Sequence, residues 1–179
     1  MFNSGYPFQK MAIKKIQTDC HLKEHTYKFK NRYGSAYTVK VDEFCHTLFI
    51  IKFFLSNHKS YPHKFSYQLD TYDAPRVIRT SVDILLEIWQ KEPDASFGFI
   101  GAPSIEKDGT FEDKIKTQRY RIYERLVANF FGEQHFSHAF NDQKSSYLLI
   151  NNRCGDVASY HISVVDMFKK LYEGSEIFT

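Results

Sequence analysis

Thr26-Tyr-Lys-Phe-Lys-Asn-Arg-Tyr-Gly-Ser-Ala-Tyr-Thr-Val-Lys-Val-Asp42 and, three residues on, His46-Thr-Leu-Phe-Ile-Ile-Lys-Phe-Phe-Leu55 decide the fold. Tyr27 and Phe29 alternate with Lys28 and Lys30, the period of a strand with one buried face. Asn31-Arg-Tyr-Gly34 marks a turn. Tyr37, Val39 and Val41 then alternate with Thr38, Lys40 and Asp42, the second arm of a hairpin. His46 to Leu55 is apolar on both parities except at Lys52, so this strand must be covered on both faces and central. Past the break at Ser60-Tyr-Pro62, Phe65, Tyr67 and Leu69 alternate with Lys64, Ser66 and Gln68. Four consecutive strands joined by short turns predict an antiparallel meander.

The period then changes. Asp73 is placed to cap a helix, with Pro75 in its first turn where the missing N–H costs nothing. Val77, Ile78, Ser81, Ile84, Leu85, Ile88 and Trp89 fall on one helical face. Arg76, Arg79, Asp83, Glu87 and Gln90 fall on the other, and Pro93 ends the element. Ser96-Phe-Gly-Phe-Ile-Gly101 reads as a short buried strand whose glycines predict close packing against a neighbour. After a polar loop from Ala102 to Asp113 comes an amphipathic helix ending near Phe130. Phe136 to Phe140 and Tyr147 to Ile150 predict a final pair of strands, and Asp156 caps a last helix. The expected fold is α+β: a single mostly antiparallel sheet, a four-strand meander plus three later strands, with about three helices packed on one face. The domain spans 26–173. Residues 1–25 read as an N-terminal arm or edge segment, and 174–179 as a frayed tail. A start at Met11 would make the residues before it dispensable.

At 179 residues the chain is long enough for one domain with a substantial core. Its 17 Phe and 12 Tyr favour sheet and leave rings for partner contacts. A net charge of +3 is too small to imply nucleic acid unless it is gathered on one face. Cys20, Cys45 and Cys154 are an odd set without close spacing, read as free thiols of a reducing cytosol. No N-terminal apolar segment resembles a signal peptide. The longest apolar run, Leu48 to Leu55, is too short to span a membrane. A cytoplasmic protein without a membrane partner is expected.

Within Lys114-Ile-Lys-Thr-Gln-Arg-Tyr-Arg-Ile-Tyr-Glu-Arg-Leu-Val-Ala-Asn-Phe130, Lys116 and Arg119 share the inward stripe of Tyr123, Leu126, Val127 and Phe130. Arg121 and Arg125 face away. A helix N-terminus offers free N–H groups and partial positive charge. Lys116, Thr117, Arg119 and Tyr120 are therefore a candidate anion site. The competing expectation makes Thr117 the N-cap and gives Arg119 a structural carboxylate such as Asp83 or Asp94. Lys28, Lys30, Arg32 and Lys40, with Tyr33 and Tyr37 nearby, are candidates for single-stranded nucleic acid, or protect an edge hairpin from aggregation.

Pro93-Asp94 and Glu112-Asp-Lys114 match the letters of a Mg²⁺-dependent nuclease superfamily, yet that chemistry needs its acids on neighbouring strands. Cys20, His21, His25, Cys45 and His46, or His135 and His138, lack metal-ligand spacing. His161 reads as a core histidine. No metal or cofactor is expected. There is no Gly-x-Ser-x-Gly elbow, glycine-rich phosphate loop or His-Glu-x-x-His helix.

The strand Phe97-Gly-Phe-Ile100, the loop with Lys107-Asp-Gly109 and the helix up to Phe131 resemble small uncharacterised bacterial domains of unknown function. In these a strand meander, a helix and a buried strand precede an Arg-rich helix. The resemblance covers roughly Tyr27 to Ile150. It implies a bacterial accessory protein of mobile-element or defence neighbourhoods, and transfers no site. The expected function is a non-enzymatic binding module whose partner is a protein or a second copy of the chain. Nucleic-acid or nucleotide binding is the alternative, and a Mg²⁺-dependent nuclease the second.

Overall fold

A computed structural model of the chain describes residues 4–16, 18–67, 73–105, 108–172 and 178. Seven strands form one sheet: β1 (Phe8–Lys15), β2 (His21–Lys30), β3 (Ala36–Phe44), β4 (Leu48–Leu55), β5 (Ser96–Ile100), β6 (Phe136–Asn141) and β7 (Ser146–Asn151). Three helices accompany them: α1 (Ala74–Lys91), α2 (Gln118–Phe130) and α3 (Val157–Leu171). The sheet order is β1-β2-β3-β4-β5-β7-β6. Every pairing is antiparallel except β4 with β5, which α1 connects.

Strand parity builds two cores. Odd-numbered residues of β2 to β5 and β7, among them Tyr27, Val39, Val41, Phe49, Ile51, Phe97, Phe99 and Leu149, pack against α1 and α2. Leu48, Ile50, Leu148 and Ile150 point the other way and meet Val164, Met167 and Phe168 of α3. The helices thus lie on both faces, not gathered on one. β4, buried on both faces except at Lys52, requires this. A single layer of helices would have left Leu48 and Ile50 in water, at about 1.5–3 kcal/mol each.

The meander also differs in its first and last members. Phe65 and Ser66 lie in a turn rather than a strand, and Gln68 and Leu69 fall outside the described residues. Phe65 is held edge-on by Phe54, 5.5 Å between ring centres. The extra strand comes instead from the N-terminus, where β1 takes the edge of the sheet. Gly5 and Tyr6, ahead of Met11, are integrated with α1. Gly5 N donates to Asp83 Oδ2 at 2.7 Å, Tyr6 N to Thr80 Oγ1 at 2.8 Å, and the Tyr6 hydroxyl to Asp73 Oδ1 at 2.8 Å. Asp73 is buried and stands at the N-cap of α1 without a side-chain cap bond. Its carboxylate serves Tyr6 instead. At the other end, Phe178 is buried against Phe168, with 5.0 Å between ring centres, so that residue is seated rather than frayed.

Candidate ligand site at the mouth of α2

β5 stops at Ile100 and pairs only with the first half of β4, in a register that runs from Leu48↔Ser96 to Ile51↔Phe99. The chain crosses at Gly101, whose N–H donates to Ser145 O at 2.8 Å. The first turn of α2 rests on this glycine: an added Cβ would meet Tyr120 N and Tyr120 Cβ at 2.7 Å, with Thr117 Oγ1 closer still. Absence of a side chain here lets helix and strand touch.

Thr117 is the N-cap. Its hydroxyl donates to Gly101 O at 2.8 Å and accepts from Tyr120 N at 3.2 Å. Glu112 supplies a second cap, accepting from Gln118 N at 2.6 Å through Oε1 and from Ser104 N at 3.0 Å through Oε2. Two of the N–H groups at which an anion would enter, those of Gln118 and Tyr120, are thus served from within the chain. Replacing Glu112 with Ala should cost about 1–2 kcal/mol, because two N–H groups lose a charged acceptor. Urea unfolding reads this directly, and an unchanged midpoint would remove Glu112 from the cap.

Lys116 is held in the left-handed region, φ 48°, by the turn between β6 and β7. Its N–H donates to Asp142 O at 3.1 Å and its ammonium meets Asp142 Oδ2 at 2.9 Å. The Tyr120 hydroxyl donates to Asp142 Oδ1 at 3.0 Å. The Lys116 hydrogen bond, helped by the Tyr120 bond and the Lys116 charge, holds the Asp142 carboxyl below its ordinary range against the opposing effect of burial. Thr117 N donates to Ser145 Oγ at 3.0 Å, and Ser145 is itself left-handed, φ 48°.

Arg119 points elsewhere. It is 5% exposed. Its guanidinium donates to the carbonyls of Phe65 and Tyr67, the latter at 2.9 Å, and lies 5.0 Å from the Phe53 ring centre. The two carboxylates suggested for it are engaged elsewhere: Asp83 with Arg79 at 2.7 Å, Asp94 with Arg153 at 3.3 Å. No carboxylate among the described residues forms an ion pair with Arg119. Burial is the largest influence on its pKa and lowers it, against the opposing pull of Tyr123, Tyr37 and Glu112. Arginine nonetheless remains charged. A cation is therefore held in an apolar setting with carbonyl dipoles and a ring as its partners.

It lines a cavity of about 210 Å³ beyond the end of β5, walled by Phe53, Phe65, Ile100 and Tyr123, with Lys52 at the rim. Lys52 is balanced by Asp42 Oδ2 at 2.5 Å. Burial pushes the Tyr123 hydroxyl up to about 12, so it stays neutral at physiological pH. The four residues expected to form one site are thus brought to one helical turn and then divided. Lys116, Thr117 and Tyr120 knit α2 to the β6–β7 turn, and Arg119 alone faces the cavity. Phe53, Phe65 and Ile100 of its wall carry no sequence signal, being ordinary strand and loop apolar residues.

The other candidates are dispersed. Lys28 and Lys30 are exposed on β2. Arg32 lies 4.8 Å over Tyr33 and 3.8 Å from Asp73. Lys40 is tied to Glu24 at 2.5 Å. Asp94 precedes β5 whereas Glu112 lies past its far end, so a five-residue strand of about 16 Å separates the two acids. His21 meets Asp42 at 3.2 Å, His25 meets Glu43 at 2.8 Å, and His138 bonds the Tyr147 hydroxyl and Phe131 O at 2.6 and 2.7 Å. His161 bonds Phe178 O at 2.8 Å. Among the described residues no cluster of three His, Cys, Asp or Glu could hold a metal ion. No helix among them is long and apolar enough to cross a membrane. Comparison of the chain with family models, curated proteins and solved structures returned no match.

Proposed function

We propose that this chain is a binding protein for a small organic anion, a carboxylate or phosphate monoester on an apolar body, seated beside Arg119. The observation that carries this reading is a guanidinium 5% exposed, without an ion-pair partner among the described residues, on the wall of an apolar cavity. A buried charge answered only by carbonyl dipoles and a ring retains part of its desolvation cost, which a ligand's anionic group would offset. The acid would meet Arg119, and its body would pack on Phe53, Phe65, Ile100 and Tyr123. At about 210 Å³ the cavity is smaller than the roughly 300–1,000 Å³ of drug-sized sites, so the ligand is small.

Titration with benzoate and phenyl phosphate, followed by calorimetry, tests this. Saturable binding near or below about 1 mM is expected, with benzamide, the neutral isostere, much weaker. Equal binding of benzamide and benzoate, or no saturation by either acid, would dismiss the reading.

One observation favours a protein partner as a second reading. β1 is an edge strand with Met11 and Ile13 about half exposed, 52% and 53%. Lys10, Lys14 and Lys15 along it oppose pairing with a second copy, since like charges would face one another. The fitting partner is an acidic strand added to this edge.

A further inference from the structure

Two of the three cysteines, 25 residues apart in sequence, are neighbours in space. Cys20 and Cys45 extend the β2–β3 ladder one step beyond the pair His21↔Phe44, which places them directly opposite one another. Cys45 N donates to Cys20 O at 2.9 Å. The Cys45 thiol donates to the Asp19 carbonyl at 3.6 Å. Both residues are half-buried, so reagents in water can reach them. The chain turns at once after Cys45, where His46 and Thr47 take left-handed φ of 63° and 52°. The pair therefore sits at a corner of the sheet rather than inside a flat ladder.

We propose that Cys20 and Cys45 form a reversible disulfide, a modification site at the corner of the β2–β3 hairpin. Opposed cross-strand residues stand about 4.5–5.5 Å apart at Cα. That lies within the roughly 4.4–6.8 Å between Cα atoms that a disulfide spans, so the pair is within bonding reach. A hydroperoxide is the oxidant. The Cys20 thiolate attacks a peroxide oxygen, the O–O bond breaks, hydroxide leaves, and Cys20 becomes a sulfenic acid. The Cys45 sulfur then attacks the Cys20 sulfur. The S–S bond forms, the S–O bond breaks, and the departing oxygen takes the Cys45 proton to leave as water. In sum two thiols and one hydrogen peroxide give one disulfide and two waters, the peroxide oxygens being reduced.

The surroundings of Cys45 suit it to the second role. The hydrogen bond to Cys20, and then burial, push the Cys45 thiol up to about 11. Cys45 thus keeps its proton and acts second, as the resolving thiol. A dithiol restores the pair by exchange at the half-exposed bond.

Oxidation with hydrogen peroxide, alkylation in denaturant and peptide mass spectrometry test this. Wild type should fall from three alkylatable thiols to one, show a Cys20–Cys45 linked peptide, and melt several degrees higher until a dithiol is added. C154S should fall from two alkylatable thiols to none and show the same linked peptide. C45S should trap Cys20 as a sulfenic acid that dimedone labels several-fold more than in wild type. C20S serves as a folded control with no linked peptide. Three alkylatable thiols after oxidation, a link through Cys154 or between two chains, or equal dimedone labelling of C45S and wild type would overturn the proposal.

Discussion

Arg119→Met is expected to leave the chain folded, to lower its stability by about 1–3 kcal/mol, and to reduce binding of organic acids more than about 100-fold. The two effects separate because they have different origins. Methionine is long enough to occupy much of the space of the arginine stem, so the cavity term stays small. The carbonyls of Phe65 and Tyr67 lose their donors, which costs stability. Removing a desolvated charge returns part of that cost. Binding has no such compensation: without the guanidinium the apolar wall of Phe53, Phe65 and Tyr123 offers an acid nothing to pair with. Arg119→Lys keeps the charge and loses the planar fork, so it should bind between wild type and Met. Urea unfolding and calorimetry on the same variants give both numbers. Full affinity for benzoate in Arg119→Met would make Arg119 a clamp for the segment around Phe65 and no ligand residue at all.

Gly101→Ala should be more damaging to stability, by about 2–3 kcal/mol, or roughly 5–10 °C in melting temperature. The new methyl group would lie 2.7 Å from Tyr120 N and from Tyr120 Cβ. These atoms belong to the first turn of α2, which Thr117, Glu112 and Ser145 pin in place. The helix cannot retreat without breaking its cap. Gly98→Ala is the contrast. There the close atom is Ile50 Cδ1 at 2.5 Å, the free end of a side chain that can turn away, with the Phe178 ring at 3.2 Å. A cost near 1 kcal/mol is expected. Thermal melts of both variants decide the point: equal costs would mean that α2 rests on Gly101 less firmly than the contact distances imply.

The outcome for each element follows from how local its cause is. β2 and β3 were legible because the apolar residues of each share one parity and the other carries Lys28, Lys30 and Lys40, so the period of two is written plainly, although Thr38 and Asp42 of β3 are buried too. α1 was legible from its apolar stripe and its flanking prolines, and β4 from its apolar residues on both parities. β1 was not, because as an edge strand it buries almost nothing and its residues are nearly all exposed. Phe65 and Tyr67 alternate like a strand, yet their carbonyls are turned to Arg119 rather than to a neighbouring strand.

Sequence by itself determined the α+β class, the sheet-rich core, the central place of β4 and the inward direction of Arg119, since each depends on periodicity over a few adjacent residues. Only the tertiary structure decided that α3 covers the second face, that Asp142 claims Lys116, that Arg119 meets carbonyls and a cavity, and that Cys20 faces Cys45. Cys20 and Cys45 are 25 residues apart, Lys116 and Asp142 26, Arg119 and Tyr67 52, and Phe44 and Phe168 124. Which surface a face meets, and which charge answers a charge, is settled where distant segments pack, and no local pattern encodes that choice.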